Sequence, residues 1–230
     1  DGIGKNGEIK GTAASIDYCA GKIGQAARFT IQKHSHIKYD GAIINPDAGT
    51  IAAWIKLDHP SNHKIVRTFL NIGGPTKGLE GESITFNPDA LIFPNICLKG
   101  INWPEEQWHH LAFSWEPNHA SEDFPYRYDV AVYLDGKGMA RRTVNHRPVP
   151  VATITLGAYP VPEYGRPQLF ELEGAIDEFL VFDVGLTPAQ IAVLSGYSPK
   201  EAVTFPLPPL ETPFPPCNYA GTKTTFLQGN

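Results

Sequence analysis

One carboxylate in this chain sits where a charge is expensive. In the run from Gly174 to Phe182, side chains alternate if the segment is a strand. Asp177 then shares a face with Phe179 and Val181, and Ile176, Glu178, Leu180 and Phe182 fall on the other. A carboxylate among apolar neighbours needs hydrogen-bond donors, an opposite charge or a metal. A second set of residues suits recognition. Trp103, in Gly100-Ile101-Asn102-Trp103-Pro104, is expected on an exposed loop, where an indole is a stacking platform for a sugar ring. Tyr159, Tyr164 and Arg166 lie in the long loop ahead of the Asp177 strand. Such loops concentrate binding residues because a rigid sheet holds them; a loop packed on itself is the alternative.

Residues for catalysis are harder to find. Glycoside hydrolysis needs two carboxylates flanking the scissile bond. Glu80 and Glu82 have the spacing of one strand face but sit in a Gly-rich loop, and Glu171 and Glu173 have no Asp between them. No nucleophile elbow, phosphate loop or metalloprotease helix is present. No catalytic residue is assigned, and the chain is read as a non-enzyme. His34 and His36 would share a strand face, but no Cys or third His has ligand spacing beside them, so a solvated pair is expected. Pro60 argues against a helix that would align His59 with His63.

The elements that position these groups are strands. Ile51, Ala53, Ile55 and Leu57 alternate with Ala52, Trp54, Lys56 and Asp58. His109, Leu111, Phe113 and Trp115 alternate with His110, Ala112 and Ser114, and Val130, Val132 and Leu134 with Ala131, Tyr133 and Asp135. This period of two marks half-buried strands, and places Trp54, Trp108 and Trp115 within strands as core residues. Asp135-Gly136-Lys137-Gly138 is a hairpin turn signal. One helix is predicted at Thr187–Ser195, with Thr187 as N-cap, Pro188 at its first position, Gln190 closing a capping box and Gly196 stopping it. The expected fold is all-β, a two-sheet antiparallel sandwich with one short helix.

Several motifs, in order, resemble the laminin-G-like, concanavalin-A-like jelly-roll family. Gly21, Gly24, Ala26, Ala27 and Phe29 resemble its early strand; Ile51, Ala53, Trp54 and Ile55 a second; Trp108 to Ala112 its W-H-H-L-A strand; and Val132 to Gly136 its hairpin. Gly174, Ile176, Asp177 and Glu178, then Leu186, Thr187, Pro188, Gln190 and Ile191, resemble its closing strand and helix. The resemblance covers roughly residues 20 to 196 and implies a jelly roll. Retaining glycosidases of this fold carry E-x-D-x-E along one strand, which this chain lacks. In related jelly rolls a carboxylate at the place of Asp177 binds a structural calcium, so Ca2+ at Asp177 is the implied cofactor. The family reading is a non-catalytic recognition module, with a polysaccharide or glycan as first partner. A protein–protein assembly domain of a larger enzyme or complex is the alternative, and a divergent glycosidase or lyase comes last.

Composition agrees. A net charge of −5 gives no reason to expect nucleic acid or an acidic membrane surface, and 22 Gly with 21 Pro suit strands and turns. No run approaches the ~20 apolar residues of a membrane span. Beginning at Asp1, the chain is expected to be processed or excised and its localisation secreted or periplasmic. Of three cysteines, Cys19, Cys97 and Cys217, at most two can pair within the chain; buried thiols and a disulfide from Cys217 to Cys19 or Cys97 both stay open. Residues 1–197 are read as the jelly-roll domain and 198–230 as a Pro-rich extended arm. Val203, Phe205, Leu207, Leu210 and Phe214 suggest that the arm docks on its own domain or a neighbour.

Overall fold

The computed structural model describes residues 8–10, 16–33, 36–73, 82–118, 127–145, 152–158 and 171–209. In it two antiparallel seven-stranded sheets face each other. The first has the order β1 (Glu8–Lys10), β4 (His36–Asp40), β13 (Thr153–Leu156), β6 (Arg67–Ile72), β7 (Glu82–Asn87), β8 (Ala90–Phe93) and β9 (Ile96–Lys99). The second has the order β12 (Lys137–Val144), β11 (Tyr128–Leu134), β10 (Trp108–Pro117), β5 (Gly49–Leu57), β14 (Gly174–Phe182), β3 (Gln25–Phe29) and β2 (Asp17–Ala20). The jelly-roll expectation holds.

The core lies between the sheets and takes the residues that alternation assigned to it, except Trp54 and Trp108, which fall on the outer face of the second sheet. Ile51, Ala53, Ile55 and Leu57 of β5 meet Leu111, Phe113 and Trp115 of β10 and Val130, Val132 and Leu134 of β11, opposite Phe69, Leu70, Ile84 and Phe93 of the first sheet. The other face of the second sheet carries Ala52, Ala112 and Ala131. Their small side chains let helix α1 (Pro188–Leu194) come close, so that Ile191, Leu186 and Leu194 bury against that face. The helix has the predicted capping box: the Gln190 N–H donates to Thr187 Oγ1 at 3.3 Å, and the Thr187 N–H to Gln190 Oε1 at 2.8 Å.

Three expectations change. Alternation along β14 breaks at Glu178, which has φ +48°: Asp177 pairs with Trp54 and Leu180 with Ala52, leaving two residues opposite Ala53. This bulge returns Phe179 and Val181 to the core side, where Ile176 also packs, while Asp177 stays on the outer face. Trp54 likewise lies on the outer face, edge-on to His110 with ring centroids 5.3 Å apart, whereas Trp115 is in the core and donates from Nε1 to Asn45 O. The tail does not become extended at Ser198. Ser198 caps a second short helix, α2 (Pro199–Ala202), with Glu201 completing another capping box. Pro199 occupies the first helical position, where its missing N–H would have no intrahelical partner anyway.

Cys97 is disulfide-bonded and Cys19 is a free thiol; Cys217 lies outside the described residues.

Candidate ligand-binding site

Trp103 is not an exposed platform. It is buried, stacked on His109 at 4.5 Å between centroids with rings 6° from parallel, and packed against Phe86. Ser61 ties it in. Its N–H donates to Trp103 O at 2.9 Å, its hydroxyl accepts from the Trp103 N–H at 2.7 Å, and the same hydroxyl donates to Ile101 O. Ser61 is fixed in turn by the fully buried Arg67, whose guanidinium donates to the carbonyls of His59, Pro60 and Ser61. Burial holds the Arg67 pKa below its ordinary value, with Glu173 and Asp58 opposing the shift. Tyr159, Tyr164 and Arg166, expected beside Trp103 in one binding set, lie outside the described residues, as does His34. The His59 and His63 rings stack at 4.7 Å without a helix.

Asp177 is buried, and each of its oxygens accepts one backbone N–H. Its Oδ2 accepts the Ile23 N–H at 2.8 Å from the β2–β3 turn, and its Oδ1 the Glu178 N–H at 2.9 Å at the bulge. Calcium requires six to eight oxygen ligands. The donors aimed at Asp177 are two backbone N–H groups, one on each oxygen, which hold the carboxylate in place without a cation. Among the described residues no group of three or more His, Cys, Asp or Glu side chains could hold a metal ion. The hydrogen-bonding role is therefore the one these contacts support. Lys22, in the same turn, has its Nζ 4.2 Å from the centre of the Trp54 ring.

His109 and His110 divide their work around the β11–β12 turn. His109 Nδ1 is 2.9 Å from Asp135 Oδ2, and the His110 N–H donates to Asp135 Oδ1 at 2.9 Å. Burial opposes ionisation of Asp135, yet these two histidines hold its carboxyl below the usual range. The His110 ring is 2% exposed and its pKa is pushed down to about 4 by burial, so it is neutral near pH 7.

The convergent polar groups lie elsewhere, on the outer face of the second sheet beside α1. Strand register builds the floor in three rows. Glu116 pairs with Asp129 and Asp129 with Thr143. Thr50 pairs with Ser114, Ser114 with Ala131 and Ala131 with Arg141. Ala52 pairs with Ala112, Ala112 with Tyr133 and Tyr133 with Gly138. The stretch Gly185–Pro188 stands along one side, anchored by the Leu186 N–H to Thr50 Oγ1 at 2.9 Å, and Leu207 covers the Tyr133 row. Together they enclose a cleft of about 100 Å³.

The groups in this cleft differ in how they are held. Asp129 Oδ1 accepts from Thr143 Oγ1 at 2.6 Å and from Asn118 Nδ2 at 2.9 Å, so that carboxylate is fixed. The Tyr133 phenol is pushed up to about 12 by burial, against a hydrogen bond with Ser114, and Glu116 adds to the rise. It stays a neutral donor and acceptor. The Glu116 and Arg141 side chains make no hydrogen bond or ion pair among the described residues, and Arg141 Nε is buried without a partner. Gly185 leaves room for Glu116: a Cβ there would lie 3.2 Å from Glu116 Oε2.

Residues 32–192 match the laminin G family model described as the concanavalin A-like lectin/glucanases superfamily. No curated protein matches the chain. Among solved structures it is similar to domain 4 of AbnA, a GH43 extracellular arabinanase from Geobacillus stearothermophilus, in complex with arabinotriose. The identity is 24% and the TM-score 0.56, over 82% of this chain and 87% of that one. It is also similar to the binding domain of Paraclostridial Mosquitocidal Protein 1, at 12% identity and TM-score 0.55 over 82% of this chain and 47% of that one. A third is Trypanosoma rangeli sialidase in complex with the inhibitor DANA, at 11% identity and TM-score 0.51 over 84% of this chain and 31% of that one. The chain thus spans less than half the length of the last two, and the likeness to all three is one of fold. With its two facing sheets and a family match over most of its length, the chain belongs to the concanavalin A-like lectin/glucanase superfamily.

Proposed function

We propose that this chain is a non-catalytic glycan-recognition module and that the cleft between α1 and the second sheet is its binding site. The observation that carries the reading is that Glu116 and Arg141 line one cleft while neither side chain is paired. Glu116 is exposed and Arg141 half-buried, so both side chains can be reached by a ligand from solvent. A hydroxyl group answers both residues at once, accepting from Arg141 and donating to Glu116. A lone anion would meet Glu116 and Asp129, and a lone cation would meet Arg141, so a neutral, hydroxyl-rich ligand fits best. Leu186, Pro188 and Leu207 supply an apolar wall for the C–H face of a sugar ring. The likeness to an arabinanase domain solved with arabinotriose supports the same class of ligand.

Glu116 and Asp129 are direct neighbours across β10 and β11, side by side on one floor. The Cys97 disulfide supports a secreted or periplasmic setting, since structural disulfides persist in oxidising compartments.

Affinity electrophoresis of the full chain against arabinan, xylan, galactan, mannan and mixed-linkage glucan tests the reading, with product analysis after long incubation. Retardation by at least one polymer with no released oligosaccharide is expected. Released sugar would make the module an enzyme, and migration unchanged by every polymer would favour an assembly domain.

A further inference from the structure

Resting on the glycan reading, we infer that the cleft takes the end of a neutral glycan chain, one residue deep, and that the segment after α2 makes this selection. Chain direction and register determine the shape. The floor runs from the Glu116–Asp129 row through the Ser114–Ala131–Arg141 row to the Tyr133–Gly138 row. At the Tyr133 end the chain beyond α2 crosses it. Leu207 packs on the cluster of Ala52, Ala112, Ala131, Tyr133 and Ile191. Gly138 is where the crossing chain touches down: a Cβ there would lie 2.6 Å from Pro208 Cδ and 3.3 Å from Pro206 O. Only a residue without a side chain lets the strap lie this close to β12.

The cleft is therefore blind at the Tyr133 end and bounded along one side by Gly185–Pro188. A polysaccharide passing through would have to lift Leu207 off buried apolar neighbours. Among the described residues nothing crosses the floor on the Glu116–Asp129 side, and a terminal residue can enter there. At about 100 Å³ the space is well below the ~300–1,000 Å³ of sites that enclose drug-sized ligands, too small to enclose more than one sugar residue. Arg141 and Glu116 then engage hydroxyls of that terminal residue, its chain-end hydroxyl faces the Tyr133 row, and Asp129, held by Thr143 and Asn118, lies on the same floor as Glu116. The residues after α2 thus belong to the binding site.

The test counts binding sites per polymer. Arabinan, xylan, galactan, mannan and mixed-linkage glucan, and a short linear oligosaccharide of each, are titrated into the full chain by calorimetry. Polymers are supplied in two lengths at equal mass. For a glycan that binds, end recognition predicts one protein per chain end. Capacity per unit mass should double when mean length is halved, and the oligosaccharide should bind as tightly as the polymer. Leu207→Ala, with its melting midpoint recorded, should weaken the oligosaccharide about tenfold. Gly138→Val should do the same by pushing the strap away. Capacity independent of polymer length would overturn end recognition and leave the glycan reading standing. Unchanged oligosaccharide affinity in both variants would remove the strap from the site. Binding to none of the five glycans would overturn the glycan reading and this inference with it.

Discussion

Gly21 and Asp177 touch: a Cβ placed on Gly21 would lie 2.5 Å from Asp177 Oδ2. The β2–β3 turn, from Gly21 to Gly24, folds over that carboxylate, and the Ile23 N–H points into it. The glycine and the buried acid are one device. It fixes the edge hairpin to the bulge in β14, near the centre of the second sheet. Gly21→Ala should destabilise the fold because the obstacle beyond Oδ2 is backbone, at Ala26 N and Gln25 C. Asp177→Ala should cost about 2–3 kcal/mol by leaving two N–H groups without their charged acceptor. Urea unfolding of both variants checks this. Wild-type melting midpoints should be the same in calcium and in EDTA, and a rise with calcium would restore the cation to this position.

His110 makes stability depend on pH. Its folded pKa of about 4 lies below the ordinary 6.5. Above pH 6.5 the imidazole is neutral in both states and exerts no pull. Between 6.5 and 4 only the unfolded chain takes up the proton, so stability falls as pH falls through this window. The loss is on the order of 3 kcal/mol at its limit, at about 1.4 kcal/mol per unit. His110→Gln should show a shallower decline than the wild type when urea midpoints are measured from pH 7.5 to 4.5. Equal slopes would mean that His110 protonates in the folded state without penalty.

Trp103→Ala should remove stability and leave the binding site alone. A buried indole stacked on His109 and packed on Phe86 supports an expected loss of about 3–5 kcal/mol. Glycan retention, scaled to the folded fraction, should be unchanged. Loss of retention with an intact melting midpoint would return Trp103 to the surface role that its local sequence suggests.

Trp103 also shows why some of this molecule was legible in the sequence and some was not. The strands, the jelly roll and the helix at Thr187 were readable because each is written locally, in alternation or in a capping box. The loop around Trp103 reads locally as exposed, and its burial depends on Ser61, forty-two residues away, and on Phe86 and His109 of other strands. The bulge at Glu178 gives no local signal, since glutamate rarely takes φ > 0. Ser198-Pro199-Lys200-Glu201 carries the same capping signature as Thr187-Pro188-Ala189-Gln190, but the closely spaced prolines that follow mask it by giving the whole segment the composition of an extended arm. The cleft stayed hidden because Glu116 and Asp129 come together only through the register of β10 with β11, across a long connection. A signal was present even so: Ser114 and Glu116 continue the outer-face alternation of His110 and Ala112.

The central claim is that Glu116 and Arg141 await a hydroxylated ligand, and calorimetry with single and double variants tests it most directly. The probe is whichever of the five glycans retards the wild type, and its short oligosaccharide. Glu116→Gln and Arg141→Gln should each weaken binding at least tenfold, about 1.4 kcal/mol, with melting midpoints near that of the wild type. The double variant should lose less than the sum, because one ligand hydroxyl group bridges both side chains. Wild-type affinity in both single variants would contradict the account.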